Sequence, residues 1–260
     1  AIACSRAEID AIVGNPSKPT FGNTIVALER HGALLDRISG IFFNLLEADT
    51  SDEMQEIALR VQPKLTALSN DISLNPELFA RVKAVYEHPG RKLSTEDRRL
   101  LEKTYRSFVR AGALLGADEK ARLAEINSEL ALASVKFGNN LLAENYNFTM
   151  ELEPEQMTGL PAGVQEQARE KARELGKGNK GVFTLQKPSM IPFLTYSPDR
   201  ELRERIYTAY LNRCNRGDEY DNKQLINDFI RLRTEKAHLL GYPSYAAYVV
   251  DDEMAGTTEA

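Results

Sequence analysis

Apolar residues recur along most of this chain in steps of three and four, the period of an α-helix with one buried stripe. From Thr24 to about Glu47 the stripe is Ile25, Leu28, Leu35, Ile38, Phe42 and Leu45, with caps available between Thr20 and Asn23. A second helix is expected behind Asp52, carrying Ile57, Val61, Leu65, Leu68 and Ile72. Pro63 falls inside it and should kink it or mark a break, because proline lacks the N–H for the i−4 bond. Asn75-Pro76 opens a third helix, which His88-Pro89-Gly90 closes after Glu87. Ser94 with Asp97 reads as a capping-box-like start for the next, and Asp118 as the cap of a long helix through Leu123, Ile126, Leu130, Phe137 and Leu141.

The period then changes to two. Tyr146, Phe148, Met150 and Leu152 alternate with polar residues, and 181–186 repeats the pattern, so strands are expected near 146–152 and 182–187. Pro161 to Leu175 between them is a charged helix. Residues 187–198 hold three prolines and should be extended. Ser197-Pro198 starts a helix to about Asn215, Asn222 caps one from Lys223 to Leu240, and Ser244 to about Ala255 forms the last. The fold class is therefore mainly α, a multi-helix array with a small β insertion of two or three strands. The domain reading is a helical array over 1–143, a β/α insertion over 144–187 and further helices over 188–260. After Gly256, Thr257 and Thr258 look like an N-cap with Glu259 in a first turn. The first residues fall inside an amphipathic pattern (Ile2, Ile9, Ile12, Val13) without a Met, so both ends are expected to be cut points of a longer chain.

Composition narrows the partners. With 260 residues, 42% of them hydrophobic and 27% charged, the chain has enough apolar side chain for a substantial core. A net charge of −5 argues against a nucleic-acid or anionic-membrane surface, and no apolar run approaches the roughly 20 residues of a membrane span. Cys4 and Cys214, far apart in sequence, are expected to be free thiols, which suits a reducing compartment.

Candidate chemistry is sparse. The histidines are His31, His88 and His238, and none belongs to a His-Glu-x-x-His pair. Glu235 and His238 lie one helical turn apart, half of a di-iron bundle pattern that occurs once; a locally bonded surface pair is the simpler reading. Residues 175–183 hold three glycines and two lysines but lack the Gly-Lys-Ser/Thr of a phosphate loop, so a turn is expected, with an anion-binding loop as the alternative. Tyr207 with Tyr210, and Tyr242, Tyr245 and Tyr248, share helix faces and suit a core rim or the wall of a cleft. Arg231 and Arg233 read as helix-surface charges.

Three stretches carry a resemblance. "PTFGNTIVALE" (19–29) resembles a Pro-Thr-Phe-Glu-Asn-Thr segment of zinc metallopeptidases of the thimet oligopeptidase type, with Gly22 in place of the usual Glu. "FTLQKPSMIPFLTYSPDRELRERIYTAYLNR" (183–213) and "NKQLINDFIRLRTEKAHLLGYPSYAAYVVDDEMA" (222–255) resemble the middle region of the same family, in the same order. The wording is closest to its bacterial peptidyl-dipeptidase and oligopeptidase A branch. The resemblance implies the N-terminal lobe of a two-lobed helical peptidase whose deep channel admits only short peptides. It also implies a parent that continues for several hundred residues and holds zinc on a His-Glu-x-x-His helix and a downstream Glu. That parent would release C-terminal dipeptides from oligopeptides. No catalytic, cofactor-binding or metal residue of the family falls on this sequence, so none is assigned; the cofactor is zinc in the parent and none in this chain. The expected partners are the oligopeptide and the missing catalytic part, with no nucleic acid and no membrane, and a cytoplasmic location with the periplasm as the alternative. The apolar set Tyr245, Tyr248, Val249 and Met254 is expected to be exposed, disordered or buried in a dimer. The competing reading is a stand-alone non-catalytic helical binding protein.

Overall fold

Helices dominate the computed structural model, which describes residues 1–90 and 92–259. Helix α1 (Ile2–Val13) is followed by a π-helical turn (Phe21–Val26), α2 (Ala27–Arg30), α3 (Ala33–Ala48), α4 (Asp52–Ser73), α5 (Pro76–Glu87) and α6 (Thr95–Arg110). Then come α7 (Ala117–Asn147), strand β1 (Met150–Leu152), a 3₁₀ turn (Pro154–Met157), α8 (Ala162–Glu174) and strand β2 (Gly181–Phe183). The chain closes with α9 (Lys187–Tyr196), α10 (Arg200–Leu211), α11 (Lys223–Leu239) and α12 (Tyr245–Val250). Two compact units result, residues 1–135 with 228–260 and residues 136–227, and the boundaries fall within α7 and α11.

In the first unit the caps explain where helices start. Asn75 Oδ1 accepts from Glu77 N and Leu78 N, both at 2.9 Å, and Ser94 Oγ accepts from Asp97 N at 3.0 Å. Ser51, not Asp52, caps α4, since its hydroxyl accepts from Met54 N at 3.3 Å. That helix runs through Pro63 without ending. Thr20 forms a reciprocal capping box with Asn23. The single helix expected over Thr24–Glu47 is instead broken at His31-Gly32. Gly32 adopts φ 78°, a left-handed conformation that no helix continues through, and Glu8 Oε2 takes its N–H at 2.7 Å. The core joins Ile9, Ile25, Leu78, Val82, Phe79 and Phe108, with the Phe79 ring 6.1 Å from Phe108.

The break at Gly32 changes the fate of the apolar stripe. No residue of α3 is buried. Leu35 and Phe42 face inward and are half-buried, while Ile38 is 50% and Ile41 59% exposed.

The second unit centres on an antiparallel pair, Met150 opposite Phe183, Glu151 opposite Val182 and Leu152 opposite Gly181. Helix α8 packs on β2. Met157 Sδ lies 2.2 Å from where a Cβ on Gly181 would stand, so only glycine fits there. Both strands are shorter than the alternation suggests, because α7 continues to Asn147 and α9 begins at Lys187. The extended segment expected over 187–198 is helical. Pro188 sits in the first turn, where its missing N–H costs nothing, and Pro192 forfeits one i−4 bond. Burial of Met190 and Phe193, the latter ring 4.5 Å from Phe183, outweighs that loss. Helix α10 starts at Asp199 rather than Ser197, since Asp199 Oδ1 accepts from Glu201 N (2.9 Å) and Leu202 N (3.1 Å). Asn222 precedes α11 as expected, but its buried side chain accepts from Asn140 Nδ2 at 2.8 Å and donates to Phe137 O; Asp221 Oδ1 takes the Lys223 N–H at 2.8 Å.

Candidate functional site

The most densely bonded charged cluster of the first unit is built on α6. Lys103, Arg106 and Arg110 follow one another at three and four residues, so one helix face carries three cations. They meet the C-terminal end of α12, where unpaired carbonyls and the helix dipole favour positive charge. Arg110 donates to Tyr248 O at 2.7 Å and to Asp251 Oδ2 at 2.5 Å, and its guanidinium lies 4.6 Å from the Tyr248 ring centroid. Arg106 donates to Asp251 Oδ2 at 2.9 Å and also to Asp251 O. Asp252 lies 3.5 Å from both Arg106 and Lys103. The Tyr242 hydroxyl donates to Asp251 Oδ2 at 3.0 Å. The Arg106 hydrogen bond, with help from Tyr242 and Arg110, holds the Asp251 carboxyl below its usual range. Burial, then the bond to Asp251, pushes the Tyr242 phenol up.

A half-buried amine lies beside this cluster. Lys236 Nζ donates to Asn127 Oδ1 at 2.7 Å, Asn127 Nδ2 donates to Asn70 Oδ1 at 2.9 Å, and Asn70 Nδ2 donates to Ala124 O at 3.3 Å. Burial lowers the Lys236 pKa. Its nitrogen is 5.9 Å from the Tyr248 ring centroid. The chain of amides satisfies a charge that α11 brings inside, and it ties α11, α7 and α4 together.

The Tyr242, Tyr245 and Tyr248 group is thus the rim of a polar cluster: Tyr245 and Tyr248 rings stand 5.8 Å apart, and Arg233 lies 5.2 Å from the Tyr245 centroid. Arg233 also lies 5.1 Å from the Phe229 ring, so it is more than a surface charge. Arg231 stays on the surface between Asp228 and Glu129. In the second unit Tyr210 packs against the core under the Arg213 guanidinium (3.7 Å), whereas Tyr207 is exposed.

Glu235 and His238 share an open groove of about 620 Å³ with Glu119. Both acids are engaged. Arg122 donates to the two Glu235 oxygens at 2.6 and 2.9 Å and holds that carboxyl below its usual range; Glu119 Oε2 accepts from Gly116 N at 2.9 Å. No group of three His, Cys, Asp or Glu side chains is placed to hold a metal among the described residues. The 175–183 loop is a turn: Lys177 and Lys180 bind Glu151 at 2.7 and 3.2 Å, which spends both cations within the unit. Cys4 is exposed and Cys214 buried, and both are free thiols. Burial, then the nearby Glu144 charge, raises the Cys214 pKa.

The residues that do most here, Arg106, Arg110, Lys236 and Asn127, carry no motif. Their partners lie 57 to 145 positions away. The one local signal was the cationic stripe on α6.

Comparison with known proteins agrees with the resemblance in the sequence. The model for Peptidase family M3 matches residues 193–260. Over 98% of its length the chain is 39% identical to the dipeptidyl carboxypeptidase of Escherichia coli (strain K12), covering 38% of that protein. It is 38% identical to the dipeptidyl carboxypeptidase of Salmonella typhimurium over the same shares, and 28% identical to the oligopeptidase A of Haemophilus influenzae over 91% of this chain and 35% of that one. The chain therefore spans a little over a third of the length of the curated relatives it matches. No helix among the described residues is long and apolar enough to cross a membrane. Along nearly its whole length, then, this chain is similar to dipeptidyl carboxypeptidases and oligopeptidases A, and its residues 193–260 match the model for Peptidase family M3.

Proposed function

We propose that this chain is a segment of a zinc metallopeptidase that releases C-terminal dipeptides from short peptides, and that it forms a wall of the substrate channel. The observation that carries this reading is the 39% identity to a dipeptidyl carboxypeptidase over 98% of the chain. A wall selects substrates by size and holds them in register for a reaction performed elsewhere. Residues 1–143 and 188–260 supply its helices and 144–187 its β/α insertion. In a protein of the relatives' length, zinc would supply an activated water and polarise the peptide carbonyl. The donors of this segment do not fit such a site, since Glu235 and Glu119 are spent on Arg122 and Gly116. We assign none of its residues to metal, cofactor or catalysis.

The partners in this reading are an oligopeptide and the remainder of a protein of the relatives' length. Two free thiols favour a cytoplasmic location, with the periplasm as the alternative. On its own, the chain would pair through the set Tyr245, Tyr248, Val249 and Met254, which light scattering over a concentration series tests.

The decisive experiment uses a protein of the relatives' length that contains this chain. Intact, it should release dipeptides from the C-terminus of an oligopeptide; with residues 1–260 deleted it should not. A normal rate in the deletion would refute the wall role. Calorimetry of the 260-residue chain should find no tight one-to-one zinc binding. Tight binding lost in His238→Ala would overturn the assignment of no metal residue.

A further inference from the structure

Helices α5 and α6 carry a column of aromatic rings from the core of the first unit to its surface. Phe79 and Tyr86 lie seven positions apart on α5, so two helical turns, roughly 11 Å, separate them on one face. Tyr105 of α6 fills the gap: its ring centroid is 5.8 Å from that of Phe79 and 4.0 Å from that of Tyr86, with interplanar angles of 25° and 6°. Phe108 stands at the inner end, 6.1 Å from Phe79. Phe79 and Phe108 are buried, whereas Tyr86 is 41% exposed, so the column ends in water. A pocket of about 330 Å³, lined by Tyr86 and Tyr105, opens at that end. Its volume lies within the range of roughly 300–1,000 Å³ typical of small-molecule sites.

The charged groups of the pocket are Arg99, Glu102, Lys103 and Arg106, which share one face of α6 at steps of three and four. Three cations thus stand against one carboxylate. Arg106 is spent on Asp251 at 2.9 Å. Arg99 and Lys103 are not spent. Arg99 lies 3.6 Å from Glu102 and Lys103 lies 3.5 Å from Asp252; neither contact is a hydrogen bond, and all four side chains are exposed. Exposed ion pairs of this kind are weak, so both cations keep their N–H groups for a better acceptor. A neutral ring would stack on the tyrosines and leave these cations without one. A small inorganic anion would reach the cations and gain nothing from the rings. A cationic ligand would be repelled. A planar ring that carries its own negative group uses both features.

We infer that this pocket binds a planar aromatic anion, its ring against the Tyr86–Tyr105 stack and its carboxylate or phosphate on Arg99 and Lys103. Two sources share that chemistry, an aromatic carboxylic acid and a nucleoside monophosphate. The inference does not depend on the peptidase reading, since no peptide is bound and no bond is made or broken at the site.

The test is NMR titration of the 260-residue chain, following the methyl signals of Val109, which also lines the pocket, and the ring signals of Tyr86 and Tyr105. The probes are naphthoate and adenosine monophosphate, their uncharged counterparts naphthylmethanol and adenosine, the cation naphthylmethylamine, and inorganic phosphate. Naphthoate or adenosine monophosphate should shift these signals and saturate with a dissociation constant on the order of 1 mM, and the tighter of the two identifies the source. The uncharged counterpart and inorganic phosphate should each bind about tenfold more weakly, through loss of the charge-assisted bonds or of the stacking, and the amine weakest of all. Arg99→Gln and Tyr86→Ala should each weaken binding several-fold. Glu102→Gln should strengthen it, because it frees Arg99 from its nearest carboxylate. All three side chains are exposed, so the fold should stay intact. Equal binding of the uncharged counterpart, or an Arg99→Gln chain that binds as tightly as the parent, would overturn the anion assignment. Inorganic phosphate that binds as tightly as the nucleotide, or an unchanged affinity in Tyr86→Ala, would overturn the role of the rings. Absence of any shift with both naphthoate and adenosine monophosphate would overturn the site.

Discussion

Helices α3 and α12 both lack a single buried residue, yet the fold treats them differently. Helix α12 has six residues and is held at its C-terminal end by Arg106 and Arg110, through its own carbonyls and through Asp251. Helix α3 has 16 residues and two apolar faces, one half-buried over a cavity and one turned to solvent at Leu34, Ile38, Ile41 and Leu45. No ion pair engages α3 among the described residues. Several directional charged bonds thus fix a short helix that isolated chain physics would not sustain, whereas the long apolar α3, with one such bond at its N-cap from Glu8, rests beside its neighbours and leaves a gap. The lesson is that attachment follows where the polar partners are, not how hydrophobic the helix is.

The largest effect should come from removing the clamp. Arg110→Ala takes the side-chain donor from Tyr248 O and one of three from Asp251 Oδ2, and should destabilise α12 by about 2 kcal/mol. Amide hydrogen exchange should then accelerate in 245–252 and stay unchanged in α5; equal acceleration everywhere would mean that α12 is part of the global core. Next is Gly32→Ala, which places a Cβ in the left-handed region and should cost about 1 kcal/mol in thermal or chemical unfolding. An unchanged midpoint would show that α3 moves freely enough to absorb the strain. Acid offers a smaller, graded version of the first test. The folded Asp251 carboxyl titrates below its ordinary value, so its contribution is complete above about pH 4 and lost as pH falls through the depressed pKa. Protection of 245–252 should therefore fall in acid before that of α5, and this early loss should shrink most in Arg106→Ala, which removes the largest cause of the depressed pKa. The smallest effect is expected from Ile38→Ala with Ile41→Ala, within about 0.5 kcal/mol of the parent, because both side chains are exposed already. A loss comparable with that of Arg110→Ala would show that the outer face of α3 is covered in solution.

Local punctuation was legible. Asn75-Pro76 and Ser94 start α5 and α6 where the residues say they should, and the alternation at 146–152 and 181–186 yields the two strands, shortened. The readings that failed did so where neighbours in sequence competed for one role. Ser51 displaced Asp52 as a cap, Asp199 displaced Ser197, and the proline-rich 187–196 stayed helical because Met190 and Phe193 are buried. The helix expected over Thr24–Glu47 broke because Glu8, 24 residues earlier, takes the Gly32 N–H. The last helix ends at Val250, not near Ala255.

The sequence by itself determined that this is a mainly helical chain with a small sheet, and its motifs pointed to the peptidases it resembles. Those follow from period, caps and composition, which act over a few residues. Tertiary structure alone decided which stripes would be buried, that Glu235 would serve Arg122, and that Lys236 would sit inside on an Asn127–Asn70 relay. Each of these depends on a partner more than fifty positions away, and a hydrogen bond or a desolvated charge has no periodic trace in the sequence from which its partner could be read.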